Sequence, residues 1–206
     1  MIRISHIQAS SYVDGPGQRA VLFVQGCPIA CAGCQNTHLW SNSGGKLEHE
    51  ADVAKTLADL SEHHGNITIS GGDPFAQPIQ LNRLIERLRE YETVKNIIVY
   101  TGYLFEDLLE GIHSSTQALK HIDILVDGPF IRGMDDELII YRGSRNQRPI
   151  DVQESLKQGK TIVLDWDNPE IVITNSGNML MPVGLVPDFQ DLGEVKTTRR
   201  CGQTKK

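Results

Sequence analysis

Three of the four cysteines in the 206-residue chain, Cys27, Cys31 and Cys34, fall within eight residues. Their spacing, Cys-x3-Cys-x2-Cys, puts three thiols on one short loop. Thiolates are soft, strongly donating ligands that suit iron–sulfur clusters and zinc. Three of them can hold three corners of a cuboidal [4Fe-4S] cluster and leave one iron open to a substrate. The same loop admits a structural zinc site, because His38, four residues past Cys34, completes a Cys3His set. A disulfide within the loop is a third option, disfavoured in a chain without an export signal. The fourth cysteine, Cys201, lies in a polar stretch beside Arg199 and Arg200. Oxidation or a partner contact suits such a thiol better than ligation.

The elements that must position this loop are legible as four short apolar runs, each followed by glycine: Ala20–Val24, Ile67–Ser70, Ile97–Thr101 and Ile122–Asp127. Their length and β-branched content predict buried strands. Helical period separates them. Val53, Leu57 and Leu60 share one face; Leu81, Leu84, Ile85 and Leu88 follow i, i+3, i+4, i+7; Leu104, Leu108 and Ile112 continue by fours. The alternation predicts a parallel sheet with helices outside it. Functional loops of such folds leave the carboxyl ends of the strands. That edge collects the cysteine loop, Gly71-Gly72-Asp73-Pro74, Thr101-Gly102-Tyr103 and Asp127-Gly128-Pro129-Phe130 around one mouth.

After Asp151 the rhythm changes. Residues 151–158 suit a short helix and Thr161–Leu164 a strand. Ile171–Ile173 and Met179–Met181 flank Asn175-Ser176-Gly177-Asn178, a hairpin turn. From about Pro187 the chain is polar and ends in a basic tail, which predicts mobility. The expected organisation is a core over 1–150 and an extension over 151–206.

Composition narrows the classes. Basic residues number 20 against 26 acidic, a net charge of −6, which argues against a nucleic-acid partner. No apolar run is long enough to span a bilayer, and Met1–His6 lacks the apolar stretch of a secretory signal. A soluble, cytoplasmic protein with no membrane association is expected. Arg132, Arg142, Arg145 and Arg148 form either a solvated face or a docking surface for anions. Asp127 divides between a loop-backbone role and ligand contact. Of the histidines, only His38 is given a role.

Val13-Asp14-Gly15-Pro16-Gly17, Leu22-Phe23-Val24-Gln25-Gly26-Cys27-Pro28 and Cys31-Ala32-Gly33-Cys34-Gln35-Asn36 together resemble the radical S-adenosylmethionine (SAM) superfamily. Ser70-Gly71-Gly72-Asp73-Pro74, Tyr100-Thr101-Gly102-Tyr103, Leu125–Phe130 and Arg142-Gly143-Ser144-Arg145-Asn146-Gln147-Arg148 narrow the resemblance. They point to the activating enzymes of anaerobic ribonucleoside-triphosphate reductase, over approximately residues 10–150. Gly33 departs from the aromatic residue that many superfamily members carry before the last cysteine.

The resemblance implies an α/β fold, an open, partial (β/α) barrel with a C-terminal appendage. It implies a [4Fe-4S] cluster on Cys27, Cys31 and Cys34, and SAM held by Gly33, Gln35, Gly71, Gly72 and Asp73. The implied reaction is reductive cleavage of SAM, followed by hydrogen abstraction from a glycine of the reductase, with a flavodoxin- or ferredoxin-type electron donor. Small-molecule chemistry of the 7-carboxy-7-deazaguanine synthase kind and a non-enzymatic zinc module are the alternatives. Within this scheme, a branched side chain at Gly72 is expected to hinder SAM while leaving iron content near normal.

Overall fold

The computed structural model describes residues 1–111, 116–135 and 139–166, together with the backbone of two strands at 170–173 and 180–183. Two compact units divide the chain, Met1–Asp167 and Asn168–Lys206. The described part of the second unit is one antiparallel pair, β8 (Glu170–Ile173) with β9 (Leu180–Val183). The turn expected at 175–178, the basic tail and Cys201 lie outside the described residues.

In the first unit the four expected strands form the centre of a seven-stranded sheet. They are β2 (Arg19–Val24), β4 (Asn66–Gly71), β5 (Asn96–Tyr100) and β6 (Ile124–Asp127), all parallel. Antiparallel strands flank them: β1 (Ile2–Ser11) and β3 (Lys46–Glu48) on one side, β7 (Arg148–Asp151) on the other. The order is β3-β1-β2-β4-β5-β6-β7, and the sheet stays open. Ile122, expected within the last parallel strand, precedes it.

Helices α1 (Glu50–Leu60), α2 (Pro78–Arg89), α3 (Phe105–Leu109) and α4 (Thr116–Leu119) connect the parallel strands. Ala20, Leu22, Val24, Ile67, Ile69, Ile97, Val99 and Leu125 form the core with them. The α2 stripe, Leu81, Leu84, Ile85 and Leu88, is fully buried as the period predicts; each such side chain contributes roughly 2 kcal/mol. Two helical faces differ from the expectation. In α1 the buried apolar positions are Val53, Ala54, Leu57 and Ala58, while Leu60 is exposed. In α3, Phe105 and Leu108 enter the core and Leu104, the residue before the helix, is exposed. Ile112 lies outside the described residues.

The compact unit continues past residue 150. β7 pairs with β6, and α5 (Val152–Gln158) follows at once, capped by Asp151, whose Oδ1 accepts from Glu154 N at 2.9 Å. Residues 161–164 form no strand. They run beside β7 through a single bridge, Ile150 to Val163.

At the amino ends of the central strands a buried arginine ties neighbouring strands together. Arg19 is 1% exposed and donates to Thr68 Oγ1 (2.6 Å), Ile67 O (2.6 Å), Pro16 O (3.1 Å) and Asn96 Oδ1 (2.8 Å). Thr68 Oγ1 in turn donates to Asp14 O, which holds the β1–β2 connection against β4. Burial lowers the Arg19 pKa to about 10, opposed by nearby acidic groups, so the side chain stays charged at neutral pH.

Candidate functional site

The carboxyl ends of the parallel strands carry the chemistry-bearing loops. The cysteine loop leaves β2 and is cinched at its base. Gly26 N donates to Leu39 O (2.8 Å), Cys27 N to Trp40 O (3.0 Å), and the buried Gln25 donates through Nε2 to Ser41 O (2.8 Å). Leu39 itself is 1% exposed. Cys27, Cys31 and Cys34 are free thiols at intermediate exposure. Cys34 N donates to Cys31 O at 3.1 Å, and Asn36 N donates to Cys34 Sγ at 3.3 Å. Burial raises the Cys27 thiol pKa; the N–H groups of Ala30 and Ile29 oppose that rise, while Asp73 and Cys31 add to it. A bound cation reverses such a balance by holding the thiolate.

The loop after β4 lies directly against this one. Gly72 N donates to Val24 O (2.8 Å) and Asp73 N to Gly26 O (2.8 Å). A Cβ on Gly72 would stand 2.3 Å from Gly26 O. The close approach therefore joins the two loops, and a branched side chain there displaces the residue before Cys27. This contact predicts, against the expectation from the sequence, that Gly72→Val also lowers iron content.

Asp73 is 1% exposed, and its carboxylate is fully engaged. Oδ1 accepts from Phe75 N (2.9 Å), Oδ2 from Gly102 N (2.9 Å), and both accept from Thr101 Oγ1 at 3.1 and 3.0 Å. Burial pushes its pKa up to about 6, while these donors pull the other way.

The third and fourth loops complete the rim. A Cβ on Gly102 would stand 2.6 Å from Ile29 of the cysteine loop. Thr101 N donates to Val126 O and Gly128 N to Tyr103 O, which ties the β5 and β6 loops together. Gly33 takes φ +88, and the Arg132 guanidinium occupies the space its side chain would fill. Gln35 is exposed. Asp127 is fully buried, accepting from Phe105 N and from Arg148. Arg148 also pairs with Glu106, so it belongs to an internal network. Arg142 donates to Gln147 O (3.1 Å).

The structure thus brings Cys27, Gly71, Gly72 and Asp73 together and sets Gly33 beneath Arg132. Sequence reasoning missed the engagement of Thr101, which carried a motif match and no role; a hydroxyl just past a strand end, before glycine, was the available signal. It also missed Arg19, whose burial has no local pattern. His38 is exposed, on the short turn Thr37–Leu39. Among the described residues, no three His, Cys, Asp or Glu side chains gather closely enough to share a single metal ion. A cuboidal cluster asks something different, one thiolate at each of three separate corners. A half-buried loop with three free thiols, backbone N–H groups directed at two of the sulfurs and glycine-lined neighbours fits that demand.

Comparison with known proteins defines the class first. Residues 13–150 match the family described as "4Fe-4S single cluster domain". Over 141 residues the chain is 38% identical to the anaerobic ribonucleoside-triphosphate reductase-activating protein of Salmonella typhi, covering 66% of this chain and 89% of that protein. The protein of the same name from Escherichia coli (strain K12) is 36% identical over 140 residues, covering 66% and 89%. The chain belongs to this family of activating proteins, radical SAM enzymes whose cofactors are a [4Fe-4S] cluster and SAM. QueE from Escherichia coli aligns with a TM-score of 0.39 and 16% identity over 61% of this chain and 69% of its own, too distant a likeness to carry weight. No helix among the described residues is long and apolar enough to cross a membrane.

Proposed function

We propose that this chain activates an anaerobic ribonucleoside-triphosphate reductase by generating a glycyl radical on it. The observation that carries the reading is the contact of the cysteine loop with the Gly71-Gly72-Asp73 loop through Gly26, at the rim where the parallel strands end. Cys27, Cys31 and Cys34 hold the cluster. When bound, it supplies one electron for breaking a carbon–sulfur bond of SAM, which leads to removal of a hydrogen atom from a glycine Cα of the reductase. Backbone groups of Gly71 and Gly72, with Gly33 and Gln35, bind and orient SAM. Gln25 and Leu39 seal the base of the cysteine loop against water. A flavodoxin- or ferredoxin-type protein serves as electron donor. No general acid, base or nucleophile is called for.

The test is anaerobic reconstitution with iron and sulfide, followed by reduction in the presence of SAM and the reductase. The expected result is iron and sulfide near four per chain, deoxyadenosine release, and a glycyl-radical signal on the reductase by electron paramagnetic resonance. Deoxyadenosine release with no radical on the reductase would point to a different substrate and overturn the assignment.

A further inference from the structure

We infer that Thr101 and Asp73 form a positioning pair for SAM, acting through the backbone of the rim and not by touching the ligand. The inference rests on the functional reading above and adds to it a residue with no role so far. Asp73 stands in the glycine-rich loop expected to hold SAM, yet it is 1% exposed and every contact of its carboxylate is internal. Thr101, 5% exposed, donates its hydroxyl to that carboxylate and accepts from Tyr103 N at 3.2 Å. Its own N–H goes to Val126 O.

The pair therefore sits at the crossing of all four rim loops. Asp73 N grips the cysteine loop at Gly26, its carboxylate grips the β5 loop at Thr101 and Gly102, and Thr101 N with Tyr103 O grips the β6 side. Gly102, held by Asp73 Oδ2, packs against Ile29 in the cysteine loop. The spacing of the glycine-rich loop and the β5 loop is thus set at the Asp73 carboxylate, by the Thr101 hydroxyl together with Gly102 N. Asparagine cannot replace Asp73 without loss, because either orientation of the amide sets its NH2 against a backbone N–H, that of Phe75 or of Gly102.

The experiment measures SAM affinity by equilibrium dialysis on anaerobically reconstituted, oxidised protein, with iron content determined on the same samples. Thr101→Val should bind SAM about tenfold more weakly at unchanged iron content, the scale of one hydrogen bond lost from a buried carboxylate. Thr101→Ser, which keeps the hydroxyl, should restore affinity to near wild type. Asp73→Asn combined with Thr101→Val should be no weaker than Asp73→Asn alone, because members of one contact are not additive. Should Asp73→Asn fail to fold, the Thr101 pair of variants decides. Equal affinity in wild type and Thr101→Val, or multiplying losses in the double variant, overturns the pairing and leaves the enzyme assignment standing. Wild-type holoenzyme that binds no SAM overturns the functional reading and the pair's role with it.

Discussion

The two ends of the sheet each bury a charged side chain, and they use it differently. Arg19 spends its guanidinium on carbonyl oxygens and on Thr68 and Asn96 where the central strands begin. Asp73 spends its carboxylate on Phe75, Thr101 and Gly102 where they end. Burial disfavours both charges, lowering the Arg19 pKa to about 10 and raising that of Asp73 to about 6. Arg19 binds strand to strand and closes one end. Asp73 binds loop to loop around an opening. The same device, a buried ion with saturated hydrogen bonds, serves stability at one end and the shape of a binding mouth at the other.

Changes at the open end should therefore cost ligands before they cost folding, and changes at the closed end the reverse. The largest effect is expected from Cys27→Ala, Cys31→Ala or Cys34→Ala. Each should lose SAM cleavage entirely, read as absent deoxyadenosine, with far-ultraviolet circular dichroism unchanged. Deoxyadenosine formed by any one of them would remove that residue from the ligand set.

Gly72→Val should lower both SAM affinity and iron per chain, because its side chain meets Gly26 O, next to Cys27. Normal iron in that variant would detach the two loops from each other. At the closed end, Arg19→Met leaves Thr68, Asn96 and two carbonyls without their donor, a cost of about 3 kcal/mol. Urea unfolding at pH 7 should show it, with iron per folded chain unchanged. Cluster loss in a folded Arg19→Met variant would break the division of labour.

A smaller effect belongs to Glu106, which joins α3 to β7. The Arg148 hydrogen bond lowers its pKa to about 2. A depressed carboxylate contributes stability that is present above its usual range and lost as pH falls from about 4.5 through about 2. Its side chain is 47% exposed, so solvent screening leaves about 1 kcal/mol. Glu106→Gln should be less stable than wild type at pH 7, and the gap should close as pH approaches 2. A gap that stays constant with pH would assign the loss to packing. The smallest effect is expected from Cys201→Ser, which should keep iron content and SAM cleavage at wild-type levels. Loss of the cluster there would replace the three-thiolate site with a four-ligand one.

The centre of the fold was legible because its strands are buried on both faces and read as apolar runs ended by glycine. Its edges were not. In β1 the alternation is broken by irregularities between Ile4 and His6 and between Gln8 and Ser11, and β7 contains Pro149, which argues against a central strand and is tolerated at an edge. Leu104 mimicked a helical face because the four-residue spacing to Leu108 cannot show that the helix begins one residue later, with Phe105 taking the core position. At the site, the cysteine spacing and the glycine pair identified the loops. The direction of Asp73 was hidden, since a carboxylate after two glycines reads the same whether it faces a ligand or a neighbouring loop.

The cinched base of the cysteine loop bears on the order of assembly. Gly26 and Cys27 close it on Leu39 and Trp40 with backbone bonds, joined by the Gln25 side chain on Ser41 O, over a short stretch of chain. Zinc fingers gain their fold from the metal, so that ligation and folding are one event. Here backbone bonds of the chain itself close the base of the loop, so stripping the iron should leave the sheet folded and able to take the cluster up again, read by circular dichroism of the iron-free protein and its reconstitution.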